Sequence, residues 1–128
     1  MPKPVSDKIP LLIVEPDPLS ARLLQVTLAD ENYEIDVATT GREALSKIVA
    51  RPPAVVLLEL ALPDMNGVDL ITSLKASPST RDIVVIVVTS WNGPATEAEV
   101  LRSGATGYVR KPIDPIAFPA ILGAKPAP

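Results

Sequence analysis

The chain contains no cysteine and no histidine among its 128 residues. It therefore has no disulfide bond, no catalytic thiol, no histidine-based metal site and no Ser-His-Asp triad. Lys and Arg number 12 against 15 Asp and Glu, so no basic surface of nucleic-acid-binding strength is expected. The longest apolar run, near Ile83 to Val88, is far shorter than a membrane span. We therefore predict a protein that contacts neither nucleic acid nor membrane directly.

What the chain does have is enough apolar material for one core, because 47% of its residues are hydrophobic. Its length fits a single domain. The mild acidity, the absence of cysteine and the lack of an apolar leader after Met1 are typical of the bacterial cytoplasm, where we expect it. We predict a domain over residues 9–122, a disordered N-terminus at 1–8, and a disordered tail or linker start at 123–128.

Short β-branched runs alternate with amphipathic segments along the chain. The first helix is predicted from Asp17-Pro18 to about Glu31, because Asp is a good N-cap and Pro suits the first helical position. The last helix is predicted to be short or bent, because Pro119 lies inside it. Five strands alternating with five helices predict an α/β fold with a parallel sheet covered on both faces. The predicted strands are 11–14, 33–37, 55–58, 83–88 and 108–109.

The apolar faces of the first four helices follow from residues spaced three and four apart. These predicted faces are Leu19, Leu23, Val26 and Leu28 in the first helix, Ala44, Leu45, Ile48 and Val49 in the second, Val68, Leu70, Ile71 and Leu74 in the third, and Ala98, Val100 and Leu101 in the fourth. Ligands of parallel sheets bind at the carboxyl ends of the strands. The candidate site therefore consists of the residues that follow the strands: Glu15-Pro16-Asp17, Glu59, Thr89-Ser90 and Lys111-Pro112.

Four segments at these strand ends resemble the receiver domain of two-component response regulators. They read LIVEPDPL at 12–19, LLELALPDMNG at 57–67, VVTS at 87–90 and SGATGYVRKP at 103–112, in the order and spacing of that family. The resemblance implies a flavodoxin-like (βα)5 doubly wound sheet with strand order 2-1-3-4-5. It implies a signalling domain rather than an enzyme, in which a strand-end aspartate takes a phosphoryl group from a partner histidine kinase beside a bound Mg²⁺.

The resemblance also implies roles for residues at matching positions. Thr89 and Lys111 match the residues that bind phosphoryl oxygens, and Tyr108 matches the aromatic residue that reorients on activation. Pro112 matches a proline whose preceding peptide bond is usually cis in the family. In the acidic segment after the first strand, Glu15 matches the first acidic residue of the metal-binding pair.

Two positions depart from the family pattern. Glu59 stands where the family has its phosphate-accepting aspartate, and Pro16 stands where it has the second acidic residue of the metal pair, between Glu15 and Asp17. Proline offers no side-chain oxygen to a Mg²⁺ that requires octahedral oxygen ligation. Glutamate is one methylene longer than aspartate, and a displacement of about 1 Å can cost about 10²-fold in rate. We therefore predict a degenerate receiver, or pseudo-receiver, without cofactor, whose Mg²⁺ binding is lost or reduced to a weak site at Glu15 and Glu59.

The leading hypothesis is a phosphorylation-independent interaction module whose partner is a signalling protein or an output domain. A homodimer through the fourth helix, fifth strand and fifth helix is the associated expectation. The alternatives are a working phosphoacceptor that uses Glu59 or a nearby acid such as Asp64, and a constitutively active domain in which Glu59 imitates a phosphorylated aspartate. Glu59 is equally open to a purely structural interpretation, as the partner of Lys111. An unrelated flavodoxin-like enzyme is disfavoured, because no phosphate-cradling loop follows the first strand.

Overall fold

The computed structural model describes residues 8–91 and 94–123. The termini that we predict to be disordered fall almost entirely outside these residues, so that expectation stays a prediction. The strands are β1 (Ile9–Val14), β2 (Tyr33–Ala38), β3 (Val55–Leu58), β4 (Val84–Thr89) and β5 (Gly107–Arg110). The helices are α1 (Pro18–Thr27), α2 (Gly41–Ala50), α3 (Gly67–Ala76), α4 (Pro94–Arg102) and α5 (Phe118–Gly123).

The five strands form one parallel sheet in the order β2-β1-β3-β4-β5, which confirms the predicted fold. In register, Val14 pairs with Leu58, and Leu58 pairs with Val87. The carboxyl ends of β1, β3 and β4 therefore lie at one edge of the sheet. The strand order changes direction beside β1, which is where ligand sites form in doubly wound sheets.

Helices cover both faces of the sheet, and this explains why the central strands are apolar at every position. Alternate strand residues point to opposite faces, so each face has its own core cluster. Residues that helices contribute to the cluster on one face are Ala44, Ile48, Leu70, Ile71, Leu74 and Val100, from α2, α3 and α4. Those contributed to the other face are Ala21, Leu24, Leu28, Phe118 and Leu122, from α1, α5 and the residue after α1.

The apolar face predicted for the first helix was largely wrong. Leu19 and Val26 are 80% and 60% exposed, and Leu23 is exposed as well. The sheet instead takes Ala21, Leu24 and Leu28, of which only Leu28 was predicted. Both sets have helical spacing, so α1 has two apolar faces, and the small Ala21 side chain lets one of them approach the strands.

Several predicted boundaries and faces also differ from the structure. α1 ends at Thr27 rather than near Glu31, and β4 begins one residue later than predicted. β1 begins at Ile9 and includes Pro10, which is tolerated because β3 pairs with β1 only from Leu11 onward. Val49 and Leu101, predicted to face the core, are exposed. The described part of the last helix is Phe118–Gly123, and that this helix is short or bent stays a prediction.

No membrane-spanning helix occurs in the described part of the chain, where every helix is too short or too polar for that role.

Candidate functional site

Four polar side chains converge where the strands end. Backbone hydrogen bonds fix their positions: Glu15 N donates to Ala38 O, Glu59 N donates to Val14 O, and Lys111 N donates to Thr89 O. Glu15, Glu59 and Thr89 are buried, with 3%, 8% and 1% exposure. The structure therefore brings together Glu15, Glu59, Thr89 and Lys111, which the sequence places at four separate strand ends.

The Glu59 carboxylate is hydrogen-bonded at both oxygens. Lys111 Nζ donates to Oε1 at 2.8 Å, and the Thr89 hydroxyl donates to Oε2 at 2.5 Å. The backbone N–H groups of Leu60 and Ala61 also donate to Oε2, at 2.7 and 3.3 Å. The longer glutamate side chain thus reaches both Thr89 and Lys111, the residues that match the phosphoryl-binding positions of receiver domains.

Glu15 is held from two sides. Its Oε1 accepts a hydrogen bond from Lys111 Nζ at 2.5 Å, and its Oε2 accepts one from the backbone N–H of Asp17 at 3.1 Å. Lys111 therefore bridges Glu15 and Glu59 with a single ammonium group. This network connects the ends of β1, β3 and β5 through one charged atom.

The network shifts the titration of both Glu59 and Lys111. Burial raises the pKa of the Glu59 carboxyl, but hydrogen bonds from Lys111 and Thr89 outweigh burial, so the pKa lies below its ordinary value. Burial lowers the pKa of the Lys111 ammonium, but hydrogen bonds to Glu15 and Glu59 outweigh burial, so that pKa lies above its ordinary value. Both groups are therefore charged at neutral pH.

The Glu59 shift predicts a loss of stability in acid. A carboxyl whose pKa is lower in the folded state stabilises that state fully above its ordinary range, and the contribution is lost as pH falls through the folded pKa. We expect the advantage of wild type over Glu59→Gln in urea unfolding to shrink below about pH 4. Using the difference between the two proteins removes the parallel contributions of Asp36, Glu43 and Asp64, whose pKa values are also lowered.

Because the pKa of Lys111 is raised, its contribution to the free energy of unfolding depends on pH in the opposite direction. Its contribution is complete below the ordinary lysine range and is lost as pH rises above about 10.4.

The comparison of wild type with Glu59→Gln also has an outcome that would contradict it. If the difference in their free energy of unfolding stayed constant from neutral pH into strong acid, Glu59 would not be a charged partner.

A hydrogen-bonded connection leads from Glu59 to the surface. The Thr89 hydroxyl, which donates to Glu59, also accepts from the backbone N–H of Trp91 at 3.3 Å. The carbonyl of Trp91 accepts from the Tyr108 hydroxyl at 2.5 Å. Tyr108 is half-buried against the core, whereas Trp91 is 61% exposed. The peptide bond between Lys111 and Pro112 is cis, as the resemblance implies.

Two residues predicted for the acidic pocket do not contribute side chains to it. Asp17 is exposed and caps α1, because its carboxylate accepts from Ser20 N and Ser20 Oγ, and only its backbone N–H reaches Glu15. Pro16 is half-buried and has no hydrogen-bonding side chain. Asp64, named as an alternative acceptor, instead binds the N-terminus of α2 through the N–H groups of Gly41 and Arg42, at 2.8 and 2.9 Å.

Sequence reasoning missed the backbone donors after Glu59. A side chain at Gly67 would place its Cβ 2.8 Å from the Leu60 Cα, so glycine allows α3 to start close to this segment. The Gly67 N–H in turn donates to Leu60 O at 2.9 Å. The glycine in LPDMNG was the available signal, because it indicates a close approach of two backbone segments.

The Mg²⁺ implied by the family resemblance does not fit this donor set. All four carboxylate oxygens of Glu15 and Glu59 already accept hydrogen bonds, and the Pro16 side chain adds no oxygen. Mg²⁺ demands near-ideal octahedral oxygen ligation. Within residues 8–91 and 94–123, no three acidic side chains come together in an arrangement that could hold a metal ion.

Comparison with known proteins identifies the family to which the chain belongs. Residues 11–122 match the model of the response regulator receiver domain. The chain belongs to this family. The receiver domain is 34% identical over 106 residues to the response regulator PleD of Caulobacter vibrioides, covering 83% of this chain and 23% of PleD. It is 33% identical over 114 residues to the transcriptional regulatory protein KdpE of Mycobacterium tuberculosis, covering 89% of this chain and 49% of KdpE.

Solved receiver structures share the fold. The chemotaxis response regulator CheY4 of Vibrio cholerae superposes with a TM-score of 0.84 at 25% identity, covering 91% of this chain and 97% of CheY4. A CheY-like receiver domain protein of Methanospirillum hungatei gives a TM-score of 0.82 at 28% identity, covering 91% of this chain and 92% of that one. The chain spans less than half the length of PleD and KdpE, so it corresponds to one part of such regulators.

Proposed function

We propose that this receiver domain is a pseudo-receiver: a signalling module in a two-component context that binds protein partners without being phosphorylated. The bonding of Glu59 carries the proposal. Its carboxylate takes the Thr89 hydroxyl, the Lys111 ammonium and two backbone N–H groups, so the donors that would serve a phosphoryl group are already engaged. Phosphoryl transfer depends on positioning and charge neutralisation, and these donors are unavailable for both.

The same contacts favour a phosphomimetic over a purely structural role for Glu59. A structural ion pair needs only Lys111, whereas Glu59 also binds Thr89 and the N–H groups of Leu60 and Ala61. Thr89 in turn connects to Trp91 and Tyr108. An anionic group at position 59 therefore holds the hydroxyl and the aromatic residue in one arrangement without added phosphate.

Asp64 does not provide a second route to phosphorylation. Its carboxylate accepts two backbone hydrogen bonds from the start of α2, and these bonds lower the pKa of Asp64. Neither Lys111 nor Thr89 is hydrogen-bonded to Asp64. An anion already bound to a helix N-terminus, with no lysine beside it, is a poor acceptor for a phosphoryl group.

Receiver domains interact with other proteins, and for this chain we propose a protein partner that binds through α4, β5 and α5. Tyr108 of β5 and the adjoining Trp91 place the hydrogen-bonded connection from Glu59 at this surface. Leu101 of α4 and Ile121 of α5 add exposed apolar area there. We propose a homodimer as one complex that forms through this surface. The bacterial and cytoplasmic setting stays a prediction from the sequence.

Incubation with a small acyl phosphate and Mg²⁺ tests the proposal directly. We expect the intact mass of the wild-type chain to remain unchanged, because the Glu59 side chain is one methylene longer than aspartate and both of its oxygens are hydrogen-bonded. A receiver domain that carries aspartate at the acceptor position serves as the positive control and gains one phosphoryl mass. A stable gain of one phosphoryl mass on the wild-type chain would overturn the pseudo-receiver assignment.

A further inference from the structure

The ammonium group of Lys111 lies between two buried carboxylates. Its Nζ is 2.5 Å from Glu15 Oε1 and 2.8 Å from Glu59 Oε1, and those side chains are 3% and 9% exposed. Two like charges in a poorly solvated site repel each other strongly unless a cation lies between them. Lys111 supplies that cation from within the chain.

The remaining carboxylate oxygens are occupied as well. Glu15 Oε2 accepts from the Asp17 N–H, which folds the carboxylate back onto its own loop. Glu59 Oε2 accepts from the Thr89 hydroxyl and from two backbone N–H groups. A metal ion would have to displace several of these donors before it gained a single protein ligand.

We propose that Lys111 is the resident cation of this pocket and that Lys111, together with the lack of a side-chain oxygen at Pro16, keeps divalent cations out. The formal charge of Glu15, Glu59 and Lys111 is −1, so a divalent ion would leave a buried site at +1. A third carboxylate at position 16 would bring the same group to −2, which one divalent ion neutralises. The charge count therefore makes residue 16 decisive for metal binding.

This inference rests on the proposed function, because a domain that receives no phosphoryl group does not need the metal that assists the transfer. The inference gives metal exclusion two causes of equal weight. One is the ammonium group of Lys111, and the other is the lack of a side-chain oxygen at Pro16. Either removing the ammonium or adding a carboxylate should therefore open the pocket to a divalent ion.

Thermal unfolding in millimolar MgCl₂ and in EDTA tests this for the wild-type chain, Pro16→Asp and Lys111→Met. We expect the same Tm in both solutions for wild type. For each variant we expect Mg²⁺ to raise Tm by about 5 °C, because an ion that binds only the folded state stabilises it. Lys47→Met is the matched control: Lys47 also lies 3.0 and 3.6 Å from two carboxylates, Asp36 and Glu43, but these are 66% and 41% exposed, so no Mg²⁺ response is expected.

The outcomes separate cleanly. A wild-type Tm that Mg²⁺ raises as much as it raises that of Pro16→Asp overturns the inference, and so does a folded Lys111→Met that does not respond to Mg²⁺. If Lys111→Met does not fold in either solution, wild type and Pro16→Asp decide: a response confined to Pro16→Asp supports the inference, and any other pattern overturns it. Mg²⁺ stabilisation of wild type without a gain of phosphoryl mass contradicts this inference alone and leaves the pseudo-receiver assignment intact.

Discussion

The chain with aspartate substituted for both Pro16 and Glu59 is expected to bind Mg²⁺ and to gain a phosphoryl group from a small acyl phosphate, neither of which is expected of the wild-type chain. Pro16→Asp supplies the missing carboxylate, so the pocket carries −2 when Glu15, Lys111 and the carboxylate at position 59 are counted with it, and one divalent ion neutralises this charge. Glu59→Asp draws the carboxylate back by one methylene. That shortening releases Thr89 and Lys111 from the contacts they now make at 2.5 and 2.8 Å.

The gain in phosphorylation should be large, because the double variant corrects both the position of the acceptor carboxylate and the loss of the Mg²⁺ site. Misplacement of a reacting group by about 1 Å can cost about 10²-fold in rate, and the absence of the ion removes charge neutralisation as well. We therefore expect phosphorylation of the double variant to exceed that of wild type by more than about 100-fold. Intact mass measures the gain. The fluorescence of Trp91, whose backbone N–H donates to the Thr89 hydroxyl, reports Mg²⁺ binding.

The single variants are the controls for this prediction. Pro16→Asp should bind Mg²⁺ but gain no phosphoryl group, because Glu59 still occupies Thr89 and Lys111. Glu59→Asp should do neither, because Pro16 still offers no side-chain oxygen to a metal ion. A folded double variant that binds no Mg²⁺ and keeps its mass would show that positions 16 and 59 do not correspond to the metal and acceptor positions of receiver domains.

The sheet and the pocket positions could be predicted because they follow from local patterns. Apolar β-branched runs such as 55–58 and 84–88 specify buried strands wherever they occur, and helices between them require parallel pairing. Parallel strands end at the same edge, so Glu59, Thr89 and Lys111 were expected to meet before any distance was known. The length of the glutamate side chain then made contact with Thr89 and Lys111 foreseeable.

The direction of individual side chains could not be predicted in the same way. α1 has apolar residues on opposite faces, and periodicity does not reveal which face the sheet accepts: it accepts Ala21 and Leu24 and leaves Leu19 exposed. Asp17 was predicted both as the N-cap of the first helix and as a member of the acidic pocket. The N-cap prediction is confirmed, because the Asp17 carboxylate accepts from the N–H of Ser20 and therefore does not point into the pocket.

Contacts between segments far apart in the chain could not be predicted from the sequence either. Asp64 binds the backbone of Gly41 and Arg42, residues more than twenty positions away, and this depends on how the loop after β3 folds over α2. Gly41 is part of the same contact, because a Cβ there would lie within 2.7 Å of three Met65 side-chain atoms. A proximity of this kind arises from tertiary packing and leaves no periodic trace in the chain.

Lys111→Met is expected to cost about 3–5 kcal/mol of unfolding free energy, because removing one partner leaves an uncompensated charge in a buried site. The two carboxylates that it pairs with, Glu15 and Glu59, are almost fully buried, so water cannot replace the ammonium. Urea unfolding at neutral pH, in EDTA, measures the loss. Lys47→Met removes an ammonium from two exposed carboxylates and from the Val37 carbonyl, which Lys47 Nζ contacts at 2.7 Å, and should cost only about 1 kcal/mol.

A second substitution separates charge compensation from simple loss of packing. Changing Glu59→Gln in the Lys111→Met background removes one of the two uncompensated charges, while the amide keeps an oxygen for the Thr89 hydroxyl. The combined variant should therefore be more stable than Lys111→Met alone, although each change is destabilising by itself. If the two losses simply add, the ammonium contributes packing rather than charge, and a resident cation at Lys111 is no longer the reason that this pocket holds two buried carboxylates together.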